Sequence, residues 1–309
     1  MYNLINSIYK LIQHRMNNYF KYLPLSDDDA KWGLHILNAG YSRINPGTPY
    51  PAAGHPSAHQ FDWDKGRILE EYQLIYITRG KGVFESRNCR QTSVQEGTVI
   101  LLFPREWHRF KPDEHTGWDE FWVGFNGDII HNIVRNEFVS PDQSVLAIGI
   151  HEQLIALFTG IIEKTRAEQP GYQPLVAGMV LHLLGDIYHR KRQEHLSRQN
   201  ISEALVNKAM ALLRAHVNNN VNMDAIAAEL QVSYSWLRKA FKAFTGIAPH
   251  QYLLQLKIEH ARTLLAGTQK PVKEIAFELG FESAFYFSRL FKLKTKSSPE
   301  NYRKRMNSF

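Results

Sequence analysis

The 309-residue sequence contains a single cysteine, Cys89. A lone thiol excludes an intramolecular disulfide and any zinc or iron–sulfur site built on several cysteines. Long hydrophobic runs are missing too. The uncharged stretch from Gln169 to Gly185 holds two prolines, two glutamines and a histidine, so it does not supply a membrane-spanning helix. At the N-terminus, Lys10 and Arg15 interrupt the apolar pattern and no small-residue cleavage site follows, which argues against a secretory signal. These absences lead us to expect a cytoplasmic protein without a membrane partner. What is present is a globular composition, 44% apolar and 22% charged, on a chain long enough for two domains.

The net charge of +7 is unevenly placed. From Ser197 to Phe309 there are 17 Lys/Arg against 8 Asp/Glu, a net of +9, while the preceding 196 residues carry a net of −2. A basic segment beside a near-neutral one suggests a polyanion-binding module attached to something else, although a lysine-rich solvated surface would give the same balance.

Pattern decides between the two. Ile226, Ala227, Glu229 and Leu230 recur 49 residues later as Ile275, Ala276, Glu278 and Leu279. Phe241, Lys242, Thr245, Pro249 and Tyr252 recur 50 residues later as Phe291, Lys292, Thr295, Pro299 and Tyr302. Each copy reads as a short apolar helix, a tight break and a longer amphipathic helix, the layout of a helix-turn-helix. Gly280 suits a left-handed turn, whereas Gln231 must adopt one at some cost or use another turn. Between the copies, Pro249 opens a helix closed by Gly267 and Pro271. Its roughly 27 Å length would hold two reading helices near the ~34 Å repeat of DNA.

The runs IAAELQVS…LRKAFKAFTGIAPHQYL and VKEIAFELGF…YFSRLFKLKTKSSPENYRK strongly resemble the DNA-binding domain of AraC/XylS-type bacterial transcription regulators. The likeness covers about Leu205 to Met306, with helix-turn-helix units at 223–244 and 271–295. By position it implies base reading by Ser235, Trp236, Arg238 and Lys239 in the first unit, on the side opposite Leu237, Phe241 and Phe244. Arg238 and Lys239 can donate to guanine O6 and N7, and Trp236 can lie on a thymine methyl unless it is a packing residue. In the second unit the exposed candidates are Ser283, Ala284, Tyr286, Ser288 and Arg289, a set better suited to holding phosphates. Lys242, Lys292, Lys294 and Lys296 are expected to neutralise the backbone.

The region from Leu34 to Phe125 shows short strands punctuated by Gly and Pro. Gln73 to Thr78 reads as a strand, Gly80-Lys81-Gly82 as a hairpin turn and Val83 to Glu85 as the return strand. Val94 to Gly97 reads as another turn before Val99 to Phe103, and Trp118 to Phe125 alternates bulky and polar residues. A sandwich or barrel follows. YQLIYITRGKGVFES, EGTVILLFPREWHRF and GWDEFWVGFNG resemble the cupin-like effector domain of the same family, nearest to its sugar-sensing members. The expected fold class is thus α+β in two domains: a cupin-like β barrel followed by dimerisation helices, then an all-α double helix-turn-helix domain.

Metal-binding cupins carry a His-x-His pair on an early strand, and Glu70 to Arg79 has no histidine. Gly97, Pro104 and His108 keep only the outline of the later motif. His55 and His59 are four apart with Pro56 between them, an improbable helical metal pair. We expect no metal and no cofactor. Sugar sites pair an aromatic plate with convergent polar groups. By motif, Trp122 falls where the relatives stack the ring, and Phe110 and Glu120 where they place an aromatic and a polar contact. Ser42, Lys65 and Arg67 are weaker candidates. Phe110 lacks a hydroxyl and Glu120 adds a carboxylate, so the effector need not be the relatives' sugar. A core role for Trp122 is the plain alternative.

The expected domains are 1–148 for effector binding, 149–193 for helices, 194–202 as a polar linker and 203–309 for DNA. Gly149 to Ala167 and Pro174 to Arg192 place Leu154, Leu157, Phe158, Ile161 and Ile162, then Val176, Val180, Leu183 and Leu184, at helical spacing. Such helices form a homodimer surface in the family or merely cover the barrel. Together these features suggest a carbohydrate-responsive activator with promoter DNA, a sugar and RNA polymerase as partners. Three rivals stand beside it. A cupin isomerase or epimerase with a DNA-binding tail would want the missing histidine pair. A DNA-repair methyltransferase would want more cysteines. A barrel serving only assembly is not excluded by the residues.

Overall fold

The computed structural model describes residues 17–50, 62–198 and 201–307. It divides into two compact units, Met1–Arg192 and Gln193–Phe309.

The first unit is a β barrel. Its described strands are β1 (Tyr19–Tyr22), β2 (His35–Ile44), β3 (Arg67–Ile68), β4 (Tyr72–Ser86), β5 (Thr92–Gln95), β6 (Thr98–Leu102), β7 (Trp107–Pro112), β8 (Trp118–Asn126) and β9 (Val145–Ala147). The main sheet runs β1-β2-β8-β4-β6-β9, and β3, β5 and β7 build the second wall on the far half of β4. Short helices α1 (Asp27–Lys31) and α2 (Asp128–Arg135) punctuate the strands. Two longer ones follow, α3 (Glu152–Ala167) and α4 (Tyr172–Arg198).

One sequence reading fails here. Gly80-Lys81-Gly82 is not a hairpin: β4 continues through it as one 15-residue strand. Residues up to Gly80 pair with β8, and Gly82 to Ser86 pair with β7. The glycines serve close approach at the barrel corner. A Cβ on Gly80, whose φ is +82°, would stand 2.1 Å from the Gly117 carbonyl oxygen, and one on Gly82 2.3 Å from that of Lys111. Only glycine tolerates that contact. The turn expected over Val94 to Gly97 shrinks to Glu96 and Gly97, because Val94 and Gln95 already belong to β5.

Strand alternation sorts side chains to two faces. On β8, Phe121, Val123 and Phe125 point outward with Tyr41, Leu74, Tyr76 and Leu101, and α3 and α4 cover them through Leu154, Phe158, Ile161, Val176, Val180 and Leu183. Trp118 and Trp122 point inward with Ile75, Ile77, Phe84, Ile100 and Phe110. The helical stripes read from the sequence therefore cover the barrel within one chain. Helix α4 also overruns the expected linker, reaching Arg198. Its end, KRQEHLSR, lacks a breaker and consists mostly of good helix formers; polarity there marks a solvated helix and not a loop.

The second unit is all helical: α5 (Glu203–Ala215), α6 (Met223–Glu229), α7 (Tyr234–Thr245), α8 (Pro249–Gly267), α9 (Val272–Glu278), α10 (Ala284–Thr295) and α11 (Pro299–Met306). The repeat folds twice in the same way. Gln231 (φ +58°) and Gly280 (φ +67°) both turn left-handed after α6 and α9. In each copy the next amide closes the turn, Val232 N–H on the Ala227 carbonyl and Phe281 N–H on that of Ala276, both at 3.0 Å. That closes the exposed end of the short helix. Ser233 and Ser283 then cap α7 and α10, accepting from the Trp236 and Tyr286 amides, each worth about 1 kcal/mol. Two cores result, one around Leu237, Phe241 and Ile226, the other around Phe287, Phe291 and Ile275.

Candidate functional site

Inside the barrel the inward-facing chain is not uniformly apolar. On β2, Gly40 lies opposite Trp122 of β8, and Ser42 opposite Glu120. Trp122 is only 7% exposed, and its ring lies so close over Gly40 that a Cβ there would meet it at 2.3 Å. Glu120 shares this inward face and is buried. The Tyr50 hydroxyl donates to its carboxylate, 3.2 Å from both oxygens. Burial pushes the Glu120 carboxyl up to about 8, with the Asp119 charge adding to the rise, while the Tyr50 bond and the Arg67 charge pull the other way.

Arg67 and Phe110 join this group from the opposite wall. The guanidinium stands 5.3 Å from the Phe110 ring centre, within cation–π range. Its Nε donates to His108 Nε2 at 3.1 Å, and Nη2 donates to Gln73 Oε1 at 3.4 Å. Gln73 in turn donates to Asn38, and Asn38 donates to Glu71 at 2.6 Å. Burial and the Arg67 charge lower the His108 imidazole to about 3, so it is neutral. With a guanidinium N–H on Nε2, and with Nδ1 facing the Glu106 carbonyl at 3.1 Å, both ring nitrogens are engaged by the protein. Among the described residues no three His, Cys, Asp or Glu side chains group as metal ligands. His55 and His59 lie outside the described residues.

Of the residues singled out by motif, the barrel brings together Trp122, Glu120, Phe110, Arg67 and Ser42. Lys65 departs from them: it sits exposed on the turn before β3, where its carbonyl accepts from Trp107 Nε1 at 2.7 Å. The sequence reading passed over Tyr50, His108, Gln73 and Asn38 as contributors to this interior. Asn38, Gly40 and Ser42 alternate on β2 and were a usable signal, since polar residues on a core face need partners. Tyr50 carried none, because it lies in a loop. It also borders a cleft of about 340 Å³ lined by Thr48, Trp63, Lys111 and Asp113, among others.

In the helical unit, Ser235, Arg238, Lys239 and Lys242 are exposed along α7. Trp236 is half-buried against the first core, which favours packing over base contact for much of its ring. On α10, Tyr286, Arg289 and Lys292 are exposed and Ser288 is half-buried. Ser283 spends its hydroxyl on the helix cap. Phe285, absent from the sequence-derived set, is 79% exposed.

Compared with known families, residues 226–305 match a helix-turn-helix domain and residues 49–205 an AraC-like ligand binding domain. Relatives include the Msm operon regulatory protein of Streptococcus mutans, 25% identical over 244 residues that cover 78% of this chain and 87% of that protein. The raffinose operon transcriptional regulatory protein RafR of Pediococcus pentosaceus is 23% identical, covering 79% and 88%. The HTH-type transcriptional activator RhaR of Salmonella dublin is 29% identical, covering 75% and 84%. No helix among the described residues is long and apolar enough to cross a membrane. A ligand-binding barrel followed by a duplicated DNA-reading hairpin, each matched by its own family model, makes this chain a member of the AraC family of transcription regulators.

Proposed function

We propose that the protein is a cytoplasmic, sugar-responsive activator that binds promoter DNA as a homodimer and engages RNA polymerase. The barrel interior carries this reading. An aromatic plate, Trp122, stands among aromatic walls next to Glu120, Tyr50, Ser42 and Arg67, and this pairing of ring faces with fixed polar groups suits a polyhydroxylated ring. A carboxyl group held protonated to about pH 8 and the guanidinium whose charge reaches it can both donate to neighbouring hydroxyls, and the carboxyl can also accept from them. Relatives named for a raffinose operon and for a lactose operon support the same substrate class. The engaged nitrogens of His108 support a binding role over metal-dependent isomerase or epimerase chemistry.

For the homodimer we propose the outer face of α4. Leu175, Gly178, His182, Gly185 and His189 are all exposed and follow three- and four-residue spacing. Cβ atoms on Gly178 and Gly185 would meet nothing within 4 Å. Two mid-helix glycines cost about 1 kcal/mol each relative to alanine, a cost that close approach of a second helix would offset.

The test is a thermal-shift screen of the full-length protein against mono- and oligosaccharides, followed by calorimetry on the hits. A sugar that raises the melting temperature of wild type, but not of Trp122→Ala, supports the assignment. No stabilisation by any sugar would reduce the barrel to an assembly module.

A further inference from the structure

The second reading helix, α10, carries a large apolar side chain where the first carries a small polar one. At about 100° per residue, Phe285, Arg289 and Lys292 fall within roughly 60° of one another, and Lys296 follows as the helix C-cap. That stripe lies opposite Phe287, Leu290 and Phe291, which fill the core. Phe285 is thus the first residue of an outward face that carries the cations Arg289 and Lys292, and it is 79% exposed. The internal repeat identifies its counterpart. With the 50-residue offset that relates Phe241 to Phe291, Phe285 corresponds to Ser235 of α7, which is exposed in the same place.

We infer that Phe285 is a specificity-determining residue that reads thymine, laying its ring against the C5-methyl groups of one or two thymines in the major groove. The inference rests on the DNA-reading assignment of the helical unit and deepens it. The first turn of a reading helix is the part that reaches base edges, and thymine is the base that offers an apolar group there. Arg289 and Lys292 along the same stripe, with Lys296 at the helix C-cap, match a polyanion, and they disfavour an apolar protein partner. Tyr286 and Leu293 are also exposed beside them, bordering one open cleft with Arg289, Lys292 and Lys296, so the apolar patch continues along the helix between the cations. The two units would then read by different chemistry. Ser235, Arg238 and Lys239 form hydrogen bonds in one half-site, while Phe285 reads methyl groups in the other.

Full-length protein is used to select duplexes from a randomised DNA pool, and the enriched site is resynthesised with each thymine in turn replaced by deoxyuridine. That exchange removes only the methyl group. One or two positions, all within a single half-site, should lose about fourfold in affinity each, the worth of one buried methyl group. Phe285→Ala should bind the thymine duplex more weakly by a similar factor and be indifferent to deoxyuridine at those positions. Phe285→Ser, which copies the first unit, should behave the same way and melt with wild type, since the ring is exposed. An enriched site at which every deoxyuridine is silent overturns the inference and leaves the DNA-reading assignment standing. So does a deoxyuridine penalty that persists undiminished in Phe285→Ala. If the full-length protein enriches no sequence at all, the DNA-reading assignment itself fails and the inference falls with it.

Discussion

Lys257, on the long helix α8, is 4% exposed and serves as the clamp between the two helix-turn-helix units. Its ammonium donates to the carbonyls of Asn219 at 2.9 Å, Leu279 at 2.6 Å and Gly280 at 3.4 Å. Asn219 precedes α6 of the first unit, while Leu279 and Gly280 form the turn of the second. Burial lowers the ammonium from the usual lysine value, so the charge carries a desolvation cost. Replacing Lys257 with Met removes that cost, keeps most of the volume and strands the carbonyls. Two opposing effects must be weighed. A buried ion is often replaceable by an apolar residue without loss when its partner is removed as well. Here the partners are backbone carbonyls, which stay in place. The Leu279 carbonyl belongs to the end of α9, where no helical amide can serve it. Leaving a buried acceptor unmade costs about 1–3 kcal/mol, and hydrogen bonds to a charged donor are worth about 1.5–3 kcal/mol each, with the long 3.4 Å contact adding little. We expect Lys257→Met to weaken the clamp by about 2 kcal/mol. By mass spectrometry, hydrogen exchange around Asn219 and Gly280 should then accelerate about thirtyfold. Affinity for a two-half-site duplex should fall more than affinity for a single half-site, because linked binding depends on held spacing. Unchanged exchange at both segments, or a variant more stable than wild type, would refute the reasoning.

Three further outcomes follow from the barrel and from α4. Trp122→Ala should abolish sugar binding in calorimetry while DNA affinity without sugar stays at the wild-type value; full retention of sugar binding would move the pocket elsewhere. Glu120 is raised to about 8 when folded, so its stabilising contribution is complete below its ordinary value of 4.5 and is lost as pH rises through 8. His108, lowered to about 3, acts in the opposite sense and only below its ordinary 6.5. Between pH 6.5 and 8 the barrel should therefore lose up to about 1.4 kcal/mol per pH unit; in thermal melts Glu120→Gln should flatten that slope, and an unflattened slope would contradict the assignment. Gly178→Ala with Gly185→Ala should stabilise the helix by roughly 1 kcal/mol per site and shift sedimentation toward monomer; an unchanged dimer constant would place the interface elsewhere.

How the family's effector signal reaches its DNA-reading unit is an energetic question. A ligand shifts an equilibrium only by binding one arrangement more tightly than another. The buried Glu120–Tyr50 contact is one place where such a preference can arise. On the proposed sugar reading, a hydroxyl bonded to Glu120 would compete with the Tyr50 hydroxyl, which lies on the loop after β2. Asp119, next along β8, faces the other way and is held by Arg79 at 2.8 Å and Arg43 at 3.3 Å. Adjacent acidic side chains thus divide the work, Asp119 pinning the strands and Glu120 facing the interior.

The local pattern of residues determined a good deal by itself. The 49- and 50-residue repeat, the core positions Leu237 and Phe241, and the left-handed turn at Gly280 were legible because helical periodicity and turn chemistry act over a few residues. Gln231 shows the limit of that locality: its left-handed turn follows from the equivalent fold of both copies, at a cost its own side chain would not predict. Tertiary structure alone decided the rest. Gly80 and Gly82 look like a hairpin in one dimension. They become a bend in one strand because the Gly117 and Lys111 carbonyls arrive from distant segments and leave no room for a Cβ. The polar stretch from Glu194 looks like a linker, yet up to Arg198 it continues helix α4. Tyr50 reaches Glu120 from 70 residues away, and Lys257 serves three carbonyls 22 to 38 residues distant. Such contacts have no period, since they are set by which strands and helices meet, and the free energy that selects them comes from burying groups the chain keeps far apart in sequence.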